Sequence, residues 1–294
     1  MPDHIPPPEE FEGIHSFSEV VRRLSQSIGV VEQRISVARN SRASQWIAQL
    51  RALELRDPRD FMASMVPELQ AGRWPDSHAA AFRALVDSRM FILIVEELAP
   101  LLTNADLHDL ISGNYHPDLD APGKRTRDRE FEWFIAAVAS RAKLPFTLAE
   151  PDIVVSATNS SWAVAAKRLR SEKQVESNVK KAANQIQAAK LPGYIFLDVT
   201  SLMDPAYRVV TYWRTADETV REYFRDCLAD HGSSFVPQRN DYVRGVVLHA
   251  AFPHVSQGFR FGTQQVWRPM PVNGISASDV HAFFRLLAPG FENS

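Results

Sequence analysis

The sequence predicts an α/β fold for the second half of the chain, which follows a helical N-terminal region. Apolar residues recur at helical spacing as far as about residue 112, whereas beyond residue 127 short apolar runs typical of strands alternate with helices. Hydrophobic residues make up 45% of the chain and charged residues 23%, which is ordinary for a globular protein. The 294 residues are enough for one large domain or two smaller ones.

The first third of the chain is predicted to be a flexible or extended arm followed by helices. Prolines at positions 2, 6, 7 and 8 exclude a helix from the arm, which covers residues 1–15. A helix should begin near Ser16 or Ser18, either of which could cap it, and no strand is expected before residue 140. The further helices predicted for this helical region, residues 16–112, cover 42–55, 58–71, 77–101 and 104–112.

The main domain boundary is predicted in residues 113–127, where prolines, glycines and scattered charges favour a loop. The α/β domain is then residues 113–294. Its predicted helices cover 128–142, 172–190, 215–230 and 276–288. Its predicted strands cover 146–149, 153–156, 162–166, 194–199, 208–213, 243–251 and 264–268.

Several classes of function are disfavoured by composition and motifs. The net charge of -2 means that a nucleic-acid surface would have to be a local patch. A single cysteine excludes an intramolecular disulfide and a cysteine-rich zinc site, and no phosphate-binding glycine loop or serine-esterase motif occurs. The most apolar stretch, Met90–Leu102, is too short and too charged to span a bilayer, so a cytoplasmic protein without membrane contact is expected.

Acidic, basic and amide side chains occur in an order that suits phosphodiester chemistry. Glu132 lies on a predicted helix, Pro151 and Asp152 begin a strand, Lys167 ends the next strand, and Gln185 lies on the following helix. Carboxylates are the ligands that Mg²⁺ prefers, and a nearby lysine can orient water or stabilise developing charge. Each feature alone has an ordinary structural explanation, so the prediction depends on their order and spacing together.

This order resembles the PD-(D/E)XK nuclease superfamily over roughly 70 to 100 residues. The resemblance implies a restriction-endonuclease-like core, with a mixed central sheet flanked by helices. It also implies that Asp152 and Glu132 bind Mg²⁺ or Mn²⁺, with Glu130 as the near alternative to Glu132. Lys167 would be the catalytic lysine, and Gln185 would point back into the site.

The sequence departs from the family at position 165. The acid of the acid-any-Lys motif should stand there, two residues before Lys167, but this chain has Ala165. Glu150 and Glu132 are the candidates to replace it as a metal ligand, and Asp198 is a weaker one. Some members of the superfamily relocate this acid and others have lost activity, so both outcomes stay open.

Basic residues cluster near the predicted site and could neutralise a phosphate backbone. A solvated helix face is the alternative interpretation of the same residues. The predicted nucleic-acid contacts are Arg168, Arg170, Lys173, Lys180, Lys181, Lys124, Arg125 and Arg127.

The resemblance therefore implies a metal-dependent endonuclease or exonuclease acting on DNA, in restriction, phage defence or repair. The alternative is a catalytically degenerate nuclease-fold module that binds nucleic acid or a protein partner, which Ala165 favours. A third interpretation is a helical scaffold whose α/β half is structural only. The sequence also allows a homodimer.

Overall fold

The computed structural model has a seven-stranded mixed sheet with helices on both faces. The structure describes residues 9–14, 17–54, 76–113, 126–157, 160–202, 222, 224–226, 228, 232–237, 240–255, 261–272 and 274–291. The sheet order is β1-β7-β6-β5-β4-β3-β2. The two central pairs, β4–β5 and β5–β6, are parallel, and the outer pairs are antiparallel.

The described residues of the N-terminal part supply one edge strand and four helices. Strand β1 covers Glu9–Ile14, and the helices are α1 (Phe17–Glu32), α2 (Arg42–Glu54), α3 (Asp76–Leu98) and α4 (Asn104–Ile111). Helix α4 begins at a capping box, in which Thr103 and Asp106 satisfy each other's backbone N–H groups. The observed helices confirm four of the predicted ones, and the fifth, 58–71, lies outside the described residues.

The remaining elements build most of the sheet and the helices around its centre. The helices are α5 (Thr126–Arg141), α6 (Val175–Ala189) and α7 (Ala277–Phe291). The strands are β2 (Phe146–Ala149), β3 (Asp152–Ala157), β4 (Ser160–Arg168), β5 (Gly193–Asp198), β6 (Val243–Val255) and β7 (Phe261–Pro271). Short 3-10 helices cover Glu172–Gln174 and Thr200–Leu202. The predicted strand at 208–213 lies outside the described residues, as does most of the predicted helix at 215–230.

Each face of the sheet packs against its own hydrophobic cluster. The first cluster joins the sheet to α1, α2, α3, α4, α5 and α7, and includes Val164 and Ala166 of β4. The second joins it to α6, and includes Ala163 and Ala165 of the same strand. Alternate residues of β4 thus face opposite layers, as the pleat of a strand requires. Strand β4 is consequently buried on both faces from residue 163 to residue 168.

Gly193 allows β5 to approach its neighbours closely. A Cβ atom at this position would lie 2.5 Å from the carbonyl oxygen of Ala163 and 2.8 Å from a side-chain carbon of Ile186. Because real Cβ atoms do not come this close to other atoms, a larger residue would push β5 away from β4 and α6. The glycine thereby helps to hold α6 against the strand that ends in Lys167.

The structure corrects one prediction about the N-terminal region and shows how that region joins the sheet. Residues 9–14, predicted to belong to a flexible or extended arm with no strand before residue 140, form β1 and pair antiparallel with β7. The prolines before it exclude a helix but not an extended edge strand, and the partner strand lies about 250 residues away. The helices of region 16–112 also share the first hydrophobic cluster with the sheet, so no separate core marks the boundary predicted at 113–127.

Candidate active site

Asp152 and Lys167 meet where β3 begins and β4 ends. These strands are antiparallel, with Ile153 opposite Val164, so the register places Asp152 beside position 165. The Lys167 ammonium donates to Asp152 Oδ2 at 2.7 Å, and the backbone N–H of Ala166 donates to the same oxygen at 2.8 Å. Both side chains are more than nine-tenths buried, so this ion pair is strongly shielded from water.

Glu132 reaches the same lysine from helix α5. Its Oε1 lies 3.7 Å from Lys167 Nζ, which makes Lys167 the shared neighbour of Asp152 and Glu132. Glu132 is about a quarter exposed, so it is the carboxylate of the two with more access to solvent. The helix and the two strands therefore bring together Asp152, Lys167 and Glu132, three of the four predicted catalytic residues.

Burial and the charge of a neighbouring carboxylate shift the pKa values of both carboxyl groups upward. Burial and the nearby charge of Asp152 raise the pKa of Glu132 to about 7, although Lys167 opposes the shift. Burial also raises the pKa of Asp152, and the charge of Glu150 adds to this against the lowering effect of Lys167 and the Ala166 N–H. A bound cation would stabilise the ionised form of carboxyl groups whose charge is disfavoured in this way.

Gln185, the fourth predicted catalytic residue, joins α6 to the residues just before Asp152. Its Nε2 donates to Glu150 Oε2 at 3.0 Å and to the backbone oxygen of Pro151 at 3.1 Å. Because both of these partners are acceptors, they determine which end of the amide carries the nitrogen. The other end, Gln185 Oε1, is buried and has no hydrogen-bond partner among the described residues.

Ala165 leaves the position beside Asp152 without a carboxylate. The alanine is fully buried and packs in the cluster beneath α6. An acid at this position would stand next to Asp152 and on the same face of the strand as Lys167. Its absence leaves Glu132 and Glu150 as the acidic residues nearest to the pair that the structure describes.

The chemistry of the site fits a hard divalent cation, although the site is sparse in ligands. Asp152, Glu132 and Glu150 offer carboxylate oxygens, and Gln185 Oε1 adds a buried amide oxygen that lacks a partner. Oxygen ligands of this kind suit Mg²⁺ or Mn²⁺. Nevertheless, within the described residues no three His, Cys, Asp or Glu side chains are close enough together to hold an ion as they stand. Lys167 Nζ lies between Asp152 and Glu132 instead.

A buried ionic network lies next to the site and connects it to helix α2. Arg168, which follows Lys167, donates to Asp198 at 2.7 Å and lies 3.4 Å from Glu130. Arg42 of α2 donates to the other oxygen of Glu130 at 2.8 Å and to the backbone oxygen of Leu110. The side chains of these four charged residues are at most 3% exposed. The network therefore links α2, α5, β4 and β5 to one another next to the site.

Arg168 is a correction to the predicted nucleic-acid contacts. Its guanidinium is buried against two carboxylates and the sulfur of Met90, so a phosphate could not reach it. Glu130 and Asp198, each considered as an acid of the site, belong to the same network. Burial alone would raise the pKa of Asp198, but Arg168, His249 and Thr200 outweigh it and hold this pKa well below its usual range.

His249 was not singled out from the sequence, although it borders this network. Its Nδ1 lies 3.6 Å from Asp198 Oδ1, and its ring lies against Trp267 with the centroids 4.1 Å apart. The histidine is fully buried in the aromatic part of the first cluster. Its neighbours in sequence form an apolar strand, which gave no signal of a polar role.

The remaining predicted nucleic-acid contacts fall into three groups. Lys173, Lys180 and Lys181 are exposed around α6, as a contact surface requires. Arg170 is half-buried and lies 3.2 Å from Asp128, with which it forms a partly exposed ion pair. The predictions outside the described residues are Lys124, Arg125 and the side chain of Arg127.

Comparisons with models of known protein families, with curated proteins and with solved structures found no match. The resemblance to PD-(D/E)XK nucleases therefore stays a prediction that rests on the residues of this chain. Among the helices that the structure describes, none combines the length and the apolar character needed to cross a membrane.

Proposed function

We propose that this protein is a metal-dependent nuclease that hydrolyses phosphodiester bonds in DNA. The observation that carries the proposal is the meeting of Asp152 and Lys167, at the ends of two adjacent strands, with Glu132 from helix α5. The sequence alone indicates all three residues, which are separated by up to 35 positions along the chain. An exposed lysine at a strand end, the ordinary alternative, would not be buried between two carboxylates.

In this proposal the carboxylates hold the cation and the lysine acts on the reacting groups. Asp152 and Glu132 would be the metal ligands, with Glu150 as a further one, and a bound cation supplies an activated water and relieves negative charge on the phosphate. Lys167 Nζ, fixed beside Asp152, is placed to donate to the attacking water or to a phosphate oxygen. Gln185 holds Glu150 and the backbone of Pro151 beside the site.

The test is cleavage of single-stranded and double-stranded DNA in the presence of Mg²⁺ or Mn²⁺. We expect the wild-type protein to cleave, and folded Asp152→Ala and Lys167→Ala variants to lose activity by at least a hundredfold, as loss of a group that stabilises the transition state typically does. Lys190→Gln is the matched control, because this exposed lysine follows α6 and lies apart from the site residues. Equal cleavage by wild type and both alanine variants would refute the proposed site.

A nuclease-fold module without activity is the second candidate, and Ala165 is the observation that favours it. In the absence of a second strand carboxylate, Lys167 already balances the charge of Asp152, so the site has less need of a cation. An Ala165→Glu variant distinguishes the two candidates, with Ala165→Gln as an uncharged control of the same shape. Cleavage that appears only in the glutamate variant would identify the natural protein as the degenerate module.

A further inference from the structure

A shallow groove of about 660 Å³ lies between α6 and the residues that precede β3. Two alanines, Ala188 and Ala189, line it together with polar side chains from both walls. The polar residues are Glu150, Ser177, Lys180, Lys181, Asn184 and Gln185. Gln185 and Glu150 are hydrogen-bonded to each other at 3.0 Å, and Gln185 also contacts Pro151, the residue before Asp152. The polar part of the groove, from Ser177 to Gln185, therefore ends next to the candidate active site, and Ala188 and Ala189 continue the groove beyond it.

The polar residues follow one face of α6 away from that end. Ser177, Lys181 and Gln185 are spaced four residues apart, so they form a single stripe along the helix. With a rise of 1.5 Å per residue, Lys181 lies about 6 Å and Ser177 about 12 Å from Gln185 along the helix axis. The groove thus leads from the site toward the N-terminal end of α6.

Charge changes sign along the groove. Glu150 is at the end next to Asp152, whereas Lys180 and Lys181 are on the part that lies further along α6. Both lysines are exposed, and within the residues that the structure describes neither forms an ion pair with a carboxylate. The acidic end suits a cation and the basic part suits an anion, so the two ends match a metal ion and the phosphates of an attached chain.

We infer that the groove binds the sugar–phosphate backbone of one nucleic-acid strand next to the phosphodiester that the site cleaves. Lys180 and Lys181 contact its phosphates, and the Ser177 hydroxyl and Asn184 amide supply further hydrogen bonds. This inference rests on the proposed function, because only a phosphate chain that enters the site would continue into a groove bordered by Gln185. The contacts are to the backbone, so they position the strand and carry no sequence preference.

The experiment measures binding separately from cleavage. A dye-labelled oligonucleotide, single-stranded or annealed to its complement, is titrated with wild-type protein in EDTA at several salt concentrations, with fluorescence anisotropy as the readout. Lys180→Gln and Lys181→Gln each remove one positive charge from the groove, and Lys190→Gln removes one from an exposed position on the same segment outside it. Circular dichroism establishes that all three variants are folded.

We expect each groove variant to bind several-fold more weakly at low salt, while Lys190→Gln binds like the wild type. The slope of log K against log salt should fall by about 0.7 per lysine for a single strand and about 0.9 for a duplex, because each lost phosphate contact releases fewer counterions. Groove variants that keep the wild-type affinity and slope would overturn the inference, as would a wild-type protein that binds no oligonucleotide at low salt.

The outcome of this experiment is independent of whether the protein cleaves. Binding that depends on Lys180 and Lys181, in a protein that cleaves nothing with Mg²⁺ or Mn²⁺, would support the groove and count against the nuclease. Cleavage that depends on Asp152, together with an oligonucleotide affinity that neither lysine variant changes, would support the nuclease. The same outcome would refute binding of the strand in the groove.

Discussion

Glu132 is the residue whose charge is most affected by the fold around it. Burial and the carboxylate of Asp152 raise its pKa from the usual 4.5 to about 7, and its Oε1 lies 3.7 Å from Lys167 Nζ. Between these two pH values the folded protein holds a proton that the unfolded chain releases. The unfolded state therefore binds fewer protons, and this group lowers stability as the pH rises through that window.

This decrease of stability with rising pH leads to a prediction for Glu132→Gln. In the absence of metal, we expect the variant and the wild type to have similar stability near pH 4.5. Above pH 7 the variant should be more stable, by an amount on the order of 1–3 kcal/mol, because it never carries the disfavoured charge. Urea unfolding at a series of pH values measures the difference. A variant that is less stable than wild type at pH 8 would show that Lys167 stabilises the Glu132 carboxylate more than burial and Asp152 destabilise it.

Addition of Mg²⁺ or Mn²⁺ should change this comparison. A cation that binds the folded state alone raises its stability by mass action, and Glu132 is a proposed ligand. We expect the wild type to gain thermal stability with either cation at pH 8 and Glu132→Gln to gain less. An equal gain of thermal stability in both proteins would show that Glu132 is not a ligand of the metal.

At the scale of elements, Arg42, Glu130, Arg168 and Asp198 join four elements through buried charges. Two positive and two negative side chains make the network neutral as a whole, and each charge lies within 3.4 Å of an opposite one. Glu130 is two residues from Glu132 on α5, and Arg168 directly follows Lys167 on β4. The network consequently fixes the ends of α5 and β4 that carry these two site residues.

Removal of one charge from this network should lower the free energy of unfolding more than removal of one positive and one negative charge together. We expect Arg42→Met to destabilise the protein by about 3–5 kcal/mol, because it leaves Glu130 partly uncompensated in the interior. An Arg42→Met, Glu130→Gln double variant removes one charge of each sign and should be less destabilised than the single variant. Urea denaturation of both proteins measures the difference, and Arg22→Met, at the exposed pair with Glu19, provides a control whose free energy of unfolding should change little.

A double variant at least as destabilised as Arg42→Met would show that packing around Arg42, rather than its charge, dominates. Arg42 is fully buried, and its guanidinium carbon lies 4.8 Å from the centre of the Trp46 ring, so its side chain also contributes contacts within the core.

The ion pairs of Arg168 show why the sequence reveals only part of the site. Asp152 begins a strand, Lys167 lies near the end of the next one, and Gln185 lies on the polar side of a helix, so the local pattern of apolar residues assigns each of them to its element. Arg168 stands at the end of the same strand, yet its partners Asp198 and Glu130 are 30 and 38 residues away. Nothing near Arg168 in sequence distinguishes a charge that binds phosphate from one that is neutralised inside the protein.

At the scale of the whole molecule, elements were easier to predict than the way in which they join. The helices and most strands follow from hydrophobic periodicity, because each buries one face or both. The mixed α/β class is also confirmed. By contrast, the pairing of β1 with β7 depends on backbone hydrogen bonds between the two ends of the chain. The shared core of α1, α2, α3 and the sheet likewise depends on contacts that periodicity cannot assign to partners.

The shared core predicts that the chain cannot be divided at the boundary suggested by its sequence. Leu24, Trp46 and Phe91 from the helical region are fully buried in the same cluster as Phe134 and Trp267. A fragment that begins at residue 113 would expose the apolar surface of α5, and lose Arg42 from beside Glu130. We expect this fragment alone to lack a cooperative thermal transition. Co-expression with residues 1–112 should restore one, because the two pieces can rebuild the common core. Calorimetry of the fragment measures whether a cooperative transition is present. A transition at the same temperature as that of the full chain would establish residues 113–294 as an independent domain.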